Sequence, residues 1–402
     1  MKKLLILGGS RYILPVIKVA HQLGIYVITC DYLPDNVAHR YSDEYHNVSI
    51  IEKDSILALA QKLQINGIMS FACDPGVVTA AYVAEKLNLP YAGSYEAVSV
   101  LQDKSLFRKF LGDNGFNVPI AKCYSDDKDA VADFKLFHWP VIVKPVDSAG
   151  SKGVTKVESP EDLKEAAKYA LSYSHSHKYI VEEYIEKLGD SSDCECFSID
   201  GEMVYISFSN QKFDVNATNP YTPAGFTWPP KMHGSKQDEL AKELQRLCKL
   251  LHLKTSLYNV EARIGIDGKA YIMEVSPRGG GNRLAEMMKY VSGIDLIEYA
   301  VKAAIGEAVG TLKMPEYKGF WYEHILHAPC KGIYKGLFID ESIQKNNVIE
   351  IDVWIQPGDA VNDFTGANET IGTVIMKFLT EKEMEEKISD IGNYIKLIID
   401  KE

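Results

Sequence analysis

"YNVEARIGIDGKAYIMEVSPRGGGNR", Tyr258 to Arg283, places two glutamates in strand-like runs on either side of an Asp-Gly step. Asp267-Gly268 between such runs is a hairpin signal, and a two-residue turn there sets Glu261 directly across from Glu274. Side chains alternate along a strand, so one face carries Asn259, Glu261, Arg263, Glu274 and Ser276. The other carries Val260, Ala262, Ile264, Tyr271, Met273 and Val275, and is expected to face the core. Opposed carboxylates, their Cβ atoms roughly 4.5–5.5 Å apart, repel one another, so a sheet that keeps them usually supplies a cation. Magnesium meets that need, with one or two carboxylates and nucleotide phosphates as its oxygen ligands. The alternative is an ordinary solvated face neutralised by Arg263 and nearby lysines, and the hairpin alone leaves both open.

The 402 residues exceed one ordinary core and imply two to four domains or subdomains. With 46% hydrophobic and 25% charged residues the composition is that of a soluble globular protein. A net charge of -11 argues against a general nucleic-acid binder but not against small phosphorylated ligands. The seven cysteines (30, 73, 123, 194, 196, 248 and 330) form no CxxC pair, which fits reduced thiols and a cytoplasmic location. The opening "MKKLLILGGSRY" imitates a secretory leader, but its apolar run breaks at Gly8-Gly9 and reads as a strand. No apolar stretch approaches the roughly 20 residues of a membrane span, so no membrane partner is expected.

Residues 4 to 91 alternate short apolar runs ("LLIL", "YVITC", "GIMSF") with helical patterns, the signature of a parallel sheet. The first turn lacks GxGxxG, although Asp31 ends the second strand where a dinucleotide fold places its ribose acid. A helical stretch through Lys104 leads to a second α/β unit, whose strands include "PVIVKPV" and "KYIVEEYI". After "CECFSI" and "MVYISF", the segment Ser209 to Ser235 reads as one long irregular loop, and loops of that length are usually functional or disordered. Its aromatic residues favour function. The tail from about Thr311 mixes strands with a final Glu/Lys-rich helix and reads as a smaller unit.

"VIVKPVDSAGSKGV", Val141 to Val154, runs from an apolar strand ending at Lys144 into a small-residue loop with Ser148, Gly150, Ser151 and Gly153. Such a loop lets backbone N–H groups approach phosphate oxygens, with the lysine as a point charge beside them. GxxxxGK[ST] is absent, which disfavours a phosphate-loop NTPase. His324 and His327 read as a packed pair, His175 and His177 as solvated residues, and Cys194 and Cys196 as core residues flanking Glu195.

Taken in order, Lys104, Lys144, the glycine loop, "VEEYI" at 181–185, Glu195, Glu261 and Glu274 resemble the ATP-grasp superfamily. The match of "WPVIVKPVDSAGSKGV" with "YIMEVSPRGGGN" is its most specific part. The resemblance implies an α/β and α+β multidomain fold: a Rossmann-like domain over 1–103, a split ATP-grasp domain over 104–310 with its lid at about 120–188, and a small C-terminal domain over 311–402. Lys104 and Lys144 then reach the phosphates of ATP, and Ser148, Ser151 and Gly153 belong to the mobile cover above them. Glu182 meets the adenine amino group, the backbone of Glu183 and Ile185 reads the ring edge, and Tyr184 flanks the ring. Glu195 is the expected ribose acid, with Glu186 as the fallback. Glu261 and Glu274 become ligands of Mg2+, or of Mn2+ in its place, and Arg278 faces the transferring phosphoryl group. Ser276 stands where the family commonly has a ligating asparagine, so a modified metal shell is expected, with Asn259 or Asn282 compensating.

The implied chemistry is phosphorylation of a carboxylate by ATP, then attack of an amine on the acyl phosphate, releasing ADP and phosphate. Placement and charge neutralisation suffice for it. The tail looks most like that of amino-acid ligases. A phosphoribosylglycinamide synthetase-like purine enzyme and a bicarbonate-activating enzyme of the biotin-carboxylase or carbamoyl-phosphate-synthase kind are the alternatives within the superfamily. A nucleotide-dependent oxidoreductase and a non-catalytic ATP-binding module lie outside that chemistry. The loop Ser209–Ser235 and the "GGSR" turn are the expected places of substrate recognition, with Arg11 pairing a substrate anion. A homodimer is admitted on general grounds.

Overall fold

The computed structural model describes residues 1–401. Strands β1 (Lys3–Leu7), β2 (Tyr26–Cys30), β3 (Glu44–His46) and β4 (Gly67–Ser70) form a parallel sheet in the order β3-β2-β1-β4. The central strand is apolar at consecutive positions because both faces are covered. Leu4 and Ile6 belong to one apolar cluster and Leu5 and Leu7 to another, and all four are fully buried. Asp31 follows β2 but is committed to its own loop, accepting from the Leu33 amide (3.2 Å) and from Asn36 Nδ2 (2.8 Å). Asp74 begins the 3-10 turn shortly after β4, at the carboxyl edge where α/β sheets gather ligand contacts.

Strands β5 (Ala121–Tyr124), β6 (Val141–Pro145), β7 (Thr155–Val157) and β8 (Tyr179–Glu183) form an antiparallel sheet in the order β5-β8-β6-β7, backed by the helix Leu163–Ser172. A further antiparallel sheet combines β9 (Ser192–Ile199) and β10 (Glu202–Ser207) with the hairpin of Tyr258–Arg283, joined as described below.

The stretch Ser209–Ser235 is not one irregular loop. It holds β11 (Asn210–Phe213) and β12 (Pro223–Trp228), paired antiparallel. Trp228 and Phe226 are fully buried and serve the core, while Phe213 is half-buried and Tyr221 exposed. The expectation failed because the prolines and glycine fall at strand ends and at a register shift rather than across a continuous loop.

The hairpin strands are β13 (Ser256–Ile264) and β14 (Ala270–Ser276), and the sheet runs β10-β9-β13-β14. Beyond them, β15 (Phe320–His327), β16 (Gly332–Ile339), β17 (Val348–Val353), β18 (Ala360–Val361), β19 (Thr370–Phe378) and β20 (Ile395–Lys401) complete two more sheets, β11-β12-β15-β19-β17 and β18-β16-β20. The tail strands therefore share a sheet with β11 and β12. Among the described residues, no helix is long and apolar enough to cross a membrane.

Candidate functional site

The hairpin pairs Glu261 with Glu274 as the sequence predicts, but by a different route. The turn is a three-residue loop, Ile266 to Gly268, closed by the Gly265 amide on the Lys269 carbonyl (2.9 Å), with Gly268 at φ +75°. A two-residue turn was expected from Asp-Gly alone. The longer loop shifts the register by one residue, and a bulge at Met273 on β14, opposite the step from Glu261 to Ala262, shifts it back. Consequently Ala270 and Ile272 join Val260, Ala262 and Ile264 in one apolar cluster, which Tyr271 and Met273, although buried, do not join. Tyr271 turns to the polar side, where its hydroxyl donates to Asp267 (2.8 Å). Met273 is the bulged residue, and its carbonyl accepts from Arg108 Nη1 (2.8 Å).

Strand β9 lies along the other side of β13 and extends the pair into a row. Asp193 stands across from Glu261, which stands across from Glu274; one step along, Glu195, Asn259 and Ser276 form a second row. Asn259 Nδ2 donates to Asp193 Oδ1 (2.6 Å) and to Glu195 Oε1 (3.1 Å). Arg263 Nη2 meets Glu261 Oε1 at 2.8 Å, and Lys104 Nζ lies 3.5 Å from Glu274 Oε2. Burial, reinforced by the neighbouring Glu261, pushes the Asp193 carboxyl up to about 7. Burial and Asp193 push Glu195 up to about 8. Stacked carboxylates with too few cations are what a divalent ion would relieve. Among the described residues no three of His, Cys, Asp and Glu converge on one point. An ion here would therefore take one or two carboxylates and fill its shell from phosphates, the habit of magnesium.

Glu195 contacts the turn that follows β14. Its Oε1 accepts from the Gly280 amide (2.8 Å), and a Cβ at position 280 would stand 2.6 Å from that oxygen, so glycine is required for this approach. Ser276 is not an open ligand: its hydroxyl donates to Asp74 Oδ1 (2.7 Å) and accepts from Gln102 Nε2 (2.8 Å). Asp74 also grips Arg278, receiving Nε on Oδ1 (2.9 Å) and Nη2 on Oδ2 (2.7 Å). Arg278 Nη1 is held by Asn259 Oδ1 (3.2 Å) and the Gly279 carbonyl (2.9 Å). Burial pushes Asp74 up, but the Arg278 guanidinium holds its carboxyl below the usual carboxylate range.

Lys104 opens the helix Lys104–Asp113, capped by Asp103, whose carboxylate accepts from the amides of Ser105 (2.8 Å) and Leu106 (3.0 Å). From that first turn Lys104 Nζ donates to the Ser148 carbonyl (2.9 Å), at the start of the glycine loop. One turn later Arg108 Nε donates to Glu182 Oε2 (2.8 Å), while Lys144 bonds Glu182 Oε1. Burial pushes Glu182 up, but Arg108 and Lys144 bring its carboxyl down to about 2. Glu183 accepts from the His138 amide (2.9 Å), the Tyr184 ring lies 4.7 Å from Lys156 Nζ, and the Ile185 carbonyl faces Arg263 Nη1 at 3.5 Å. In the loop, Gly153 is buried, and Ser151 Oγ lies 3.4 Å from the Tyr221 carbonyl.

The structure thus brings Lys104, Lys144 and Glu182 to one wall, and Glu261, Glu274, Ser276 and Arg278 to the facing sheet. Four further residues at this site were missed. Asp74 stands just beyond a parallel strand and Arg108 four residues after Lys104, signals that a reader of strand ends and helix faces can use. Asp193 lies two residues before Glu195 on the same strand face. Gln102 carries no signal of its own.

His324 and His327 are a packed pair, as read. His324 Nδ1 meets the Tyr322 hydroxyl (3.0 Å), and His327 Nε2 meets Asp214 Oδ2 (3.2 Å). Cys194 and Cys196 are fully buried. Arg11 does not wait for an anion: it pairs with Asp352 (3.3 Å) and lies over the Trp354 ring.

Residues 137–286 match the family model of the ATP-grasp domain. The chain is 25% identical over 234 residues to the carbamoyl phosphate synthase large chain of Thermoanaerobacter sp. (strain X514), covering 57% of this chain and 20% of that one. It spans about a fifth of the length of the curated relatives it matches. Its structure resembles L-amino acid ligase from Bacillus licheniformis, with a TM-score of 0.81, 19% identity, and 100% of this chain and 99% of that one covered. It also resembles phosphoribosylglycinamide synthetase from Anaerococcus prevotii, with a TM-score of 0.76, 22% identity, and 99% and 100% covered. At these identities the two structural likenesses are likenesses of fold. Residues 137–286 thus carry an ATP-grasp domain, and the chain as a whole shares the fold of those two structures.

Proposed function

We propose that the protein is an ATP-dependent ligase that joins a small carboxylate to an amine and releases ADP and phosphate. The observation that carries this reading is the facing of two charge sets: the Asp193–Glu261–Glu274 row with Arg278 on one sheet, and Lys104, Lys144 and the glycine loop on the other side.

In this reading residues 1–103 lead, 104–310 clasp the nucleotide with a lid at about 120–188, and 311–402 close the site. Lys144, Lys104 and the loop with Ser148, Ser151 and Gly153 bind the phosphates of ATP. Glu182, the backbone of Glu183 and Ile185, and the Tyr184 ring form the adenine pocket. Exposed Glu186, at the end of that hinge, takes the ribose, because Glu195 is spent on holding the Gly280 turn.

Glu261 and Glu274 are the ligands we assign to magnesium, with Ser276 reaching it only through the Asp74–Gln102 network. Bound there, the ion would neutralise charge on the phosphates. Arg278, fixed by Asp74, points charge at the phosphoryl group as it moves to the carboxylate oxygen. The amine then attacks the acyl carbon and phosphate leaves. A closed lid keeps water from the acyl phosphate. The seven thiols are free, which suits a cytoplasmic enzyme.

The test is ADP and phosphate release from Mg-ATP across pooled carboxylates, each pool with and without amines, and including bicarbonate and phosphoribosylamine precursors. Release that needs both a carboxylate and an amine supports the ligase. Release driven by bicarbonate or by the purine precursors alone replaces it with those branches. ATP binding without release in any pool rejects catalysis of this kind.

A further inference from the structure

A second cluster of charge lies where the first leader turn, the Asn282-Arg283 step and the β15-β19-β17 face meet. Its floor is Glu323 on β15, which is fully buried, and neither of its carboxylate oxygens has a hydrogen-bond partner among the described residues. Its partners across the sheet are Phe226 and Ile375, also fully buried. Burial therefore holds its carboxyl well above the usual range, with Arg283 opposing and Glu286 and Glu350 adding to the effect.

The one nearby guanidinium is engaged elsewhere. Arg283 Nη1 donates to Thr373 Oγ1 (3.0 Å), Nε and Nη2 each lie 3.2 Å from Glu286, and Nη2 lies 2.6 Å from Glu350 Oε1. Arg11 at the rim is paired with Asp352. Glu286, Glu350 and Glu323 thus share one cation, and Glu323 has no direct bond to it. An unpaired buried carboxylate costs several kcal/mol, so an orphan of this kind calls for an explanation.

The cluster opens to the surface: the side chains of Glu286, Glu350 and Asp352 are 25%, 34% and 34% exposed. Tyr12 stands beside it, its hydroxyl 3.3 Å from Asn282 Oδ1 and its ring edge-on to Trp354 at 5.5 Å. Arg283 follows Arg278 by five positions, a reach of at most about 18 Å of chain.

We infer that this cluster is the acceptor subsite of the proposed ligase and that it holds the acceptor by an ammonium group other than the amine that attacks. The inference rests on the ligase reading for its role and on Glu323 for its chemistry. An ammonium group offers three donors to carboxylate oxygens that lack them, and aromatic faces favour a cation beside them. Excess acid disfavours an acceptor that carries phosphate, because like charges brought together without a cation repel. Specificity would then lie in the C-terminal sheet rather than in the nucleotide jaws.

The test is calorimetric titration of the full chain, with Mg-ADP present, using 1,4-diaminobutane, lysine amide and O-phosphoethanolamine as probes. Binding does not require turnover, so its failure is distinct from failure of the ligase reading. We expect one or both cationic probes to bind, O-phosphoethanolamine to bind more weakly, and Glu323→Gln and Glu350→Gln each to weaken the cationic probe about tenfold or more. Glu323→Gln keeps the shape and removes only the ionisable oxygen, so its melting temperature should equal or exceed that of the wild type. No binding of either cationic probe to the wild type, unchanged binding in both variants, or preference for O-phosphoethanolamine would each overturn the inference.

Discussion

Asp74 and Arg278 face each other through two hydrogen bonds, of 2.9 and 2.7 Å, across the junction between the leader sheet and the β10-β9-β13-β14 sheet. The same carboxylate takes the Ser276 hydroxyl, so one leader residue orients both the arginine and the serine that follow Glu274. Removing one member of a buried ion pair strands the other, at a cost of about 3 kcal/mol or more. We expect Asp74→Ala to lower the unfolding free energy read from urea by that much, Asp74→Asn by less, and both to slow turnover because Arg278 is no longer held. A wild-type midpoint in Asp74→Ala would show that the pair is not a structural tie.

How far the sequence could be read is clearest in the hairpin. Its alternation and Asp-Gly step place Glu261 across from Glu274, yet the loop has three residues and the register is restored by a bulge. Two one-residue departures cancel at the site, and only the misassigned Tyr271 and Met273 betray them. Local alternation is legible because burial enforces it on one face. The partners of Arg278, Ser276 and Glu182 are not, because Asp74, Gln102 and Arg108 come from distant segments that meet only in three dimensions. The hairpin of β11 and β12 was hidden for the same reason: what makes it a strand pair is the tail strand β15 beside it.

The row Asp193–Glu261–Glu274 should repel itself when no ion is bound. Glu274→Gln removes one charge from the row without changing its shape. We expect the variant without nucleotide to melt no lower than the wild type, while the rise in melting temperature on adding Mg-ATP is largely lost and turnover falls below detection. Thermal shift with and without Mg-ATP reads both effects. A full magnesium-dependent rise in the variant would remove Glu274 from the ligand set.

Glu182 ties the hinge strand to Arg108 and Lys144, and Arg108 ties both to the bulge carbonyl of Met273. Its carboxyl is brought down from 4.5 to about 2, so the native state binds fewer protons than the unfolded chain between those values. Stability from this group is therefore fully present above about pH 4.5 and is lost as pH falls toward 2, roughly 3 kcal/mol in all. Glu182→Gln should be less stable at pH 7, since two buried cations lose their partner, and should show a shallower decline below pH 4.5. Urea midpoints at pH 3, 4, 5 and 7 check this, and parallel declines in both proteins would contradict it.

The glycine loop does not stand free of the rest of the molecule. Asn219, between β11 and β12, directs its Nδ2 at the Ser151 carbonyl (3.4 Å) and at the Thr365 carbonyl (3.0 Å), while its amide donates to the Phe364 carbonyl (3.1 Å). One half-buried side chain thus ties the loop we assign to the ATP phosphates to the segment before β19. Each such bond contributes about 1 kcal/mol at most, so Asn219→Ala should leave the melting temperature nearly unchanged. The loop itself should open more often, because a local contact of that size is a large share of what closes a short, half-buried segment. We expect faster proteolytic cleavage within residues 148–153 and a several-fold higher KM for ATP, both partly reversed by saturating Mg-ATP. Unchanged cleavage in the variant would mean that the phosphate loop is held by its own strands and that the contact to Asn219 is incidental.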